Sequence, residues 1–168
     1  KLLKSEINVQ TITEKILNDT MLYGNIPVFT YHIAYPSFST TCVLSAAQTA
    51  NIYYMQLAEN TEQYCRTVLY PQAVESARYI TSNHPPFNRY TLDMNYQITY
   101  NSGCITSLYM DTYTYMGGAH QELERISDTW DFSTGKQLHL DDISALTPAA
   151  LNGLQTSVER QIAERLKE

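Results

Sequence analysis

The sequence has few cysteines and no long apolar run, and both absences limit what the chain can be. Its 168 residues include only Cys42, Cys65 and Cys104, too few for a disulfide scaffold and without the C-x-x-C pair of many metal and redox sites. They allow at most one internal bridge; the alternative is burial as small apolar side chains, which we favour for Cys65. No run is long enough to span a bilayer and no signal peptide opens the sequence, so we expect membrane attachment only through an anchor outside it.

Cationic side chains are also scarce. Eleven Lys and Arg stand against 17 Asp and Glu, giving a net charge of -6, and no cluster of cations could neutralise a phosphate backbone. We therefore predict no nucleic-acid partner. Six carboxylates fall within a short region that has only Arg125 and Lys136 as cations, and a cationic partner would bind best there; solvated strand edges and loops would show the same pattern. The six are Glu122, Glu124, Asp128, Asp131, Asp141 and Asp142.

The motifs of common catalytic and cofactor sites are missing as well. There is no G-x-G-x-x-G or phosphate-binding loop, no G-x-S-x-G elbow and no H-E-x-x-H helix. A catalytic triad or a metal site would have to be assembled by the fold, and spacing alone defines neither. The residues available for them are Ser127, Asp128 and His120 for the triad, and His120, His139, Asp141 and Asp142 for the metal. We predict no catalytic residue, no metal and no cofactor.

The residues that are present indicate a globular chain with strands at both ends of a long helix. A first strand, straight or bent, is predicted over 5–20. A second strand is predicted over 28–35 and ends at Pro36. Apolar residues at three- and four-residue spacing predict a helix from Ser45, with a kink or break near Tyr70 because proline follows. A second helical piece is expected to end at about Thr81.

The double-proline loop at 82–87 is the predicted boundary between two halves. The first, 1–82, contains the strands and long helix, and the second, 83–168, a meander and a last helix; the two are expected to pack closely enough to form one domain. Strict alternation makes 90–100 the clearest strand. The further strands are 104–116, 123–132 and 136–140, and the final helix begins at Thr147 with an apolar stripe of Leu151, Leu154, Val158, Ile162 and Leu166.

The predicted fold class is therefore α+β. We expect an antiparallel meander sheet with a long helix, kinked at proline, and a C-terminal helix packed on it.

The stretch from Tyr113 to His120 is the strongest candidate for a functional site. Paired glycines relax the backbone between a tyrosine-rich strand and a titratable side chain, and acidic residues follow. The predicted binding residues are Tyr113, Tyr115, Gly117, Gly118, His120, Glu122 and Glu124. The alternative is that the loop only makes a tight strand connection, with His120 hydrogen-bonded to its neighbours.

Several segments together resemble the RsiV-like extracytoplasmic domain, which occurs in membrane-anchored anti-sigma factors of Gram-positive bacteria and beside peptidoglycan deacetylase domains. They are Ser107-Leu108, Tyr115-Met-Gly-Gly-Ala-His120, Trp130-Asp-Phe-Ser-Thr-Gly-Lys-Gln-Leu138 and Leu140-Asp-Asp-Ile143. The resemblance covers about 90–143. Family members typically continue past the last helix into another strand, so either this sequence is a piece or this member is short.

The resemblance implies an extracytoplasmic ligand-binding or sensor domain of a cell-surface protein, membrane-anchored or secreted, and not an enzyme. The expected partner is a basic protein such as lysozyme, or cell-wall glycan. The alternative is an accessory domain, non-catalytic or weakly catalytic, of a peptidoglycan-modifying enzyme, in which His120 would be the general acid or base.

Overall fold

The computed structural model of the chain describes residues 9–83, 86–143 and 147–167. The chain forms two compact units, Lys1–Gln137 and Leu138–Glu168. No helix among the described residues is long and apolar enough to cross a membrane.

The first unit is built on a sheet in which strand order follows chain order. The strands are β1 (Thr11–Tyr23), β2 (Ile26–Ser39), β3 (Tyr90–Ser102), β4 (Ile105–Tyr115), β5 (Glu122–Asp131) and β6 (Lys136–Leu138). The pairs β1–β2, β3–β4 and β4–β5 are antiparallel. Between β2 and β3 the pairing is parallel, from Phe29 opposite Tyr90 to Ile33 opposite Met94. A mostly antiparallel sheet with helices confirms the α+β prediction, and the two predicted halves share this sheet.

A long helical segment makes the crossover from β2 to β3. It comprises α1 (Leu44–Tyr64), a π-helical stretch over Cys65–Leu69 and α2 (Tyr70–Asn83). The expected kink or break near Tyr70 is replaced by this stretch, in which the Tyr70 N–H donates to the Cys65 carbonyl. A π-helical turn is wider than an α-helical one, so it accommodates a following proline that lacks an N–H and crowds the preceding turn.

The hydrophobic core lies between α1 and one face of the sheet. Alternate strand residues supply its large side chains, as expected for a half-buried sheet, and α1 supplies small ones: Ala46, Ala50 and Ala58 are each at most 2% exposed. Small helix residues let the backbone of α1 approach the strands closely. The strand residues of the core include Phe29, Tyr31, Ile33, Leu92, Met94, Leu108, Met110 and Trp130.

β2 runs past its predicted end, and β3 departs from its predicted alternation. β2 continues through Pro36 to Ser39, because β3 pairs with it only as far as Ile33 and no ladder bond from Pro36 is needed on that side. The Asn51 side chain then bonds the backbone N–H and carbonyl of Phe38, at 2.7 and 2.9 Å. In β3, a bulge between Ile98 and Tyr100 breaks the strict alternation, and the tyrosine is 53% exposed.

A disulfide ties the start of the helical crossover to the meander. Gly103 and Cys104, both with positive φ, form the two-residue turn between β3 and β4, which is the hairpin geometry that matches strand twist. Cys104 is bonded to Cys42, 62 residues away in sequence. Cys65 is a free, buried thiol, as favoured from the sequence.

The second unit contains α3 (Leu140–Ile143) and α4 (Pro148–Arg165). The predicted cap is confirmed: the Thr147 hydroxyl accepts from the Ala150 N–H at 3.2 Å, and proline follows at the first helical position. Within this unit the apolar stripe of α4 is exposed, with Leu151, Leu154, Val158 and Ile162 at 47–54%. A unit this short cannot bury an apolar face of its own. The packing of α4 on the meander stays a prediction.

Candidate functional site

A cleft opens in the first unit between the second half of α1 and the ends of β4 and β5 that lie nearest their connecting loop. Its volume is about 450 Å³. The floor is apolar, and the wall and rim carry amide, hydroxyl and carboxylate groups. The lining residues are Leu57, Asn60, Thr61, Tyr64, Leu92, Met94, Met110, Thr112, Thr114, Met116, Glu122, Leu123, Glu124 and Ile126. An apolar base with a few convergent polar groups is typical of a ligand site.

The cleft arises from a change of composition along one face of β5. Alternate residues share a face, so Trp130, Asp128, Ile126, Glu124 and Glu122 follow one another on the side of the helices. At the Trp130 end this face is covered by α1, and Trp130 is 4% exposed. At the other end the helix no longer covers it, and both glutamates are exposed.

A buried polar network fixes α1 against the covered end of β5. The Tyr54 hydroxyl donates to Asp128 Oδ2 and accepts from Trp130 Nε1, each at 2.9 Å. Gln137 Nε2 donates to the other carboxylate oxygen. Burial, followed by the charge of Asp128, raises the pKa of Tyr54, so the phenol stays protonated as a donor. Asp128, which breaks the apolar pattern of its strand face, therefore has a structural partner in the helix.

The seven predicted binding residues do not form one surface. Glu122 and Glu124 line the cleft. Tyr113 and Tyr115 alternate with Thr112 and Thr114, which line the cleft, so both tyrosines lie on the opposite face of the sheet. Thr112 and Thr114 are paired with Glu124 and Glu122 and share their face of the sheet, whereas the two tyrosines, at the alternate positions of β4, point to the other face.

The paired glycines differ in role, and His120 lies outside the cleft lining. Gly117 has φ +77° and approaches Tyr90 so closely that a Cβ would lie 3.1 Å from the ring. Gly118 has open space around it. His120 is exposed in the loop two residues before β5. The tight-connection alternative thus describes Gly117, which shapes the loop against β3.

The acidic region is likewise divided. Asp128 is 7% exposed and internally bonded. Asp131 accepts hydrogen bonds from Ser133 and Thr134, which lower its pKa and close the turn to β6. In the second unit, the Asp142 carboxylate accepts the His139 N–H at 2.8 Å. Glu122 and Glu124, by contrast, are exposed and line the cleft.

Arg125, one of the two cations in that region, is paired across the opposite face of the sheet. Its guanidinium donates two hydrogen bonds to Asp111, at 2.6 and 2.7 Å, and lies 4.0 Å from the centre of the Tyr109 ring. The hydrogen bonds from Arg125 hold the pKa of Asp111 below its usual range. Arg125 is therefore engaged on the opposite face of the sheet and does not pair with the two cleft glutamates.

The two constellations that spacing left open are not assembled in the described residues. Ser127 and Asp128 are consecutive in β5 and so face opposite sides of the sheet, and the aspartate is bonded to Tyr54. This geometry rules out the triad. No group of three or more His, Cys, Asp or Glu that could hold a metal ion occurs in the described part of the chain.

Sequence reasoning missed the helix side of the cleft. Leu57, Asn60, Thr61 and Tyr64 line it, whereas the apolar spacing of this segment was used only to predict a helix. A usable signal was the strand opposite, where inward residues change from aromatic and aliphatic to acidic. That change indicates where a helix stops covering a sheet.

The chain also resembles known proteins in sequence and in fold. Residues 24–121, more than half of the chain, match the family model described as "Deacetylase PdaC". The fold is similar to that of a DUF3298 family member from Bacteroides fragilis, at 14% identity and a TM-score of 0.66, over 94% of this chain and 72% of that one. It is also similar to a DUF3298 family protein from Pseudomonas aeruginosa, at 14% identity and a TM-score of 0.52, over 94% and 70%. No curated protein matches the chain significantly.

Proposed function

We propose that the chain, which belongs to the Deacetylase PdaC family, is a non-catalytic, extracytoplasmic ligand-binding domain of a bacterial cell-surface protein. It would serve either as a sensor ectodomain or as an accessory domain beside a peptidoglycan-modifying enzyme. The finer RsiV-like assignment, with its anti-sigma-factor role, belongs to this proposal. The observation that carries the proposal is the cleft between α1 and β5, with an apolar floor and a carboxylate rim.

An extracytoplasmic setting is supported by the Cys42–Cys104 disulfide. Disulfides form and persist in oxidising compartments and are rare in the cytosol of mesophiles. The family description names a deacetylase, which is compatible with the peptidoglycan context that the RsiV-like resemblance implies. A cleft rather than a reactive constellation favours binding over catalysis as the role of this domain.

The proposal is tested by titrating the protein with soluble peptidoglycan fragments in a calorimeter. Asn60 is exposed on α1 and lines the cleft, so Asn60→Trp should fill the cleft at little cost to folding. Gln63→Trp, an exposed neighbour outside the lining, is the matched control. We expect wild type and control to bind and Asn60→Trp to lose at least about tenfold in affinity, the equivalent of 1.4 kcal/mol. Equal binding by all three proteins would exclude the cleft as the binding site, and binding by none would remove peptidoglycan fragments as the ligand.

Lysozyme is the more specific candidate ligand. It is a strongly basic protein, and the exposed Glu122 and Glu124 offer a negative rim that a cationic partner would approach. Calorimetry with lysozyme at low and high salt should then give heat that falls as salt screens the charges. An absence of heat at both salt concentrations removes lysozyme and leaves the broader proposal standing.

The weakly catalytic alternative depends on His120 as a general acid or base. If it holds, the protein turns over peptidoglycan and a folded His120→Ala variant does not. Since the residue is exposed in a loop outside the cleft lining, we expect the same product release from both proteins and from buffer.

A further inference from the structure

The start of α1 is held by other parts of the chain rather than by a cap of its own. Val43 occupies the cap position without a side-chain hydrogen bond, and the first turn contains no acidic residue. A helix start commonly satisfies its free N–H groups with such side chains. The buried side chains of the first turn are Ala46 and Ala47, which bury a single methyl group each. Order at this end of α1 therefore depends on contacts with distant strands.

The Cys42–Cys104 bridge closes a ring of backbone contacts around that helix start. The Cys104 carbonyl accepts from the Phe132 N–H at 2.7 Å, and the Phe132 carbonyl accepts from the Val43 N–H at 3.1 Å. Because Val43 follows Cys42 in the chain, the disulfide completes the ring. The start of α1, the turn between β3 and β4 and the end of β5 are thus joined through a covalent link that a reductant can break.

The same bridge lies against the contacts that hold the residue before β1. Gln10 is buried; its N–H donates to Asn101 Oδ1 at 3.0 Å, and its carbonyl accepts from Asn101 Nδ2 at 2.8 Å. Its side chain accepts from the Thr40 hydroxyl at 2.7 Å, and that hydroxyl accepts from the Cys42 N–H at 3.0 Å. Cys42 Sγ lies 3.7 Å from Gln10 Oε1. A displacement of Cys42 therefore reaches Gln10 both directly and through Thr40.

The rest of α1 has an anchor that does not involve the bridge. Tyr54 lies about three turns beyond the helix start and bonds Asp128 and Trp130, each at 2.9 Å. Ala58, one turn further on, is fully buried in the core. Because this anchor is complete without Cys42, a broken bridge should free the first turns of α1 and leave the remainder in place.

We propose that the Cys42–Cys104 bridge is a redox-sensitive latch. When a dithiol reduces it, the start of α1 and Gln10 lose their fixed positions while the rest of the first unit stays folded. A thiolate of the reductant attacks one sulfur and breaks the S–S bond, and the second thiolate of the reductant then resolves the mixed disulfide. Two electrons and two protons pass to the protein, which is left with two thiols, and the reductant leaves as a disulfide. The opposing explanation is that the bridge only adds stability to a fold that keeps the same order without it.

The first test asks whether a dithiol reduces the bridge in the folded protein. The protein is incubated with dithiothreitol at neutral pH and alkylated in a brief pulse, and peptides containing Cys42 and Cys104 are read by mass spectrometry. Both should carry the label, and the emission of Trp130, the single tryptophan, should remain that of a buried side chain. A bridge that stays unlabelled, or labelling accompanied by the emission of an unfolded chain, would overturn the latch.

The second test asks where order is lost. Backbone order parameters measured by NMR should be about 0.85 at Gln10, Val43 and Ala58 in the oxidised protein. On reduction they should fall below about 0.6 at Gln10 and Val43, whereas Ala58 should keep its value because the Tyr54 anchor is intact. Unchanged order at Gln10 and Val43 in the reduced protein would show that the bridge only adds stability.

Two variants separate the parts of the latch without a reductant. Cys42→Ser/Cys104→Asn should show the low order of the reduced protein at Gln10 and Val43, with or without dithiothreitol. Asn101→Ala removes the partner of the Gln10 backbone and keeps the bridge, so it should lower order at Gln10 and leave Val43 unchanged. A double cysteine variant with the order of the oxidised wild type at both positions would overturn the latch. Peptidoglycan binding enters none of these measurements, so their outcome leaves the proposed function untouched.

Discussion

Asp128 is the residue that sequence pattern handled least well and packing explains best. It stands in the apolar face of β5, where a carboxylate is out of place by composition. In the folded chain, Tyr54 and Gln137 both donate to it, and a buried charge is tolerated when it is hydrogen-bonded. Its partner Tyr54 lies 74 residues away, so no local pattern could have predicted the contact.

Removing this carboxylate should destabilise the first unit. In Asp128→Ala the buried Tyr54 hydroxyl loses its acceptor, and a lost bond to a charged group costs about 2 kcal/mol. Urea denaturation followed by tryptophan fluorescence should show this decrease in the free energy of unfolding. Ser127→Ala, on the exposed side of the same strand, should change it by less than about 0.5 kcal/mol. Equal effects for the two variants would mean that the network contributes nothing.

Asp111 should make stability depend on acid pH. Arg125 lowers the pKa of this carboxyl in the folded state, so its contribution is present above the unfolded pKa of about 4 and is lost as pH falls through the folded pKa. Between about pH 5 and pH 3, we expect wild type to lose more of its free energy of unfolding than Asp111→Asn does. Urea midpoints measured across that range would show parallel slopes if the pair is unimportant. Ser127→Ala, an exposed substitution that removes no titrating group, should follow the wild-type slope.

At the scale of single elements, local sequence predicted existence and type better than ends. Strict alternation identified β3, and the cap at Thr147 identified the start of α4. The bulge at Tyr100 and the π-helical stretch over Cys65–Leu69 were not predicted, because both insert a residue into a ladder without a characteristic sequence. The end of β2 was missed because the rule about proline depends on which edge is paired.

The glycine loop between β4 and β5 provides a matched pair of substitutions. Gly117→Ala should cost about 1–2 kcal/mol, since a left-handed backbone is unfavourable for residues with a Cβ, and that Cβ would also crowd Tyr90. Gly118→Ala should cost little, because its φ is not positive and its surroundings are open. Thermal or urea denaturation of both variants is the measurement. The reverse ranking would contradict the geometry of the loop.

At the scale of the whole molecule, the fold class followed from element order but the topology did not. Hairpins join neighbours in sequence, so the meander was predictable. The parallel pairing of β2 with β3 joins strands that the entire helical crossover separates in sequence. The residue pattern of a strand does not indicate which strand it pairs with. The cleft depends on the same long-range arrangement, which explains why two of seven predicted residues line it and why the α1 wall was missed.

The Cys42–Cys104 disulfide acts at this scale because it closes a loop that contains the whole crossover. A loop of about 60 residues predicts that the bridge contributes roughly 4 kcal/mol to the free energy of unfolding. Cys42→Ser/Cys104→Asn, in which asparagine tolerates the positive φ of the turn, should lose a comparable amount in urea denaturation. Reductant should lower the midpoint of wild type and leave that of the variant unchanged. A wild-type midpoint that ignores reductant would contradict the bridge.

The Cys65 thiol can report on local opening of the core around the π-helical stretch. The bridge leaves one thiol among three cysteines, and burial raises its pKa to about 12, so it is protonated and shielded at neutral pH. A thiol reagent can therefore modify only those molecules in which the core around the π-helical stretch has opened. The rate at which Cys65 is labelled therefore measures how often this part of the core opens. A ligand bound in the cleft against α1 should lower that rate.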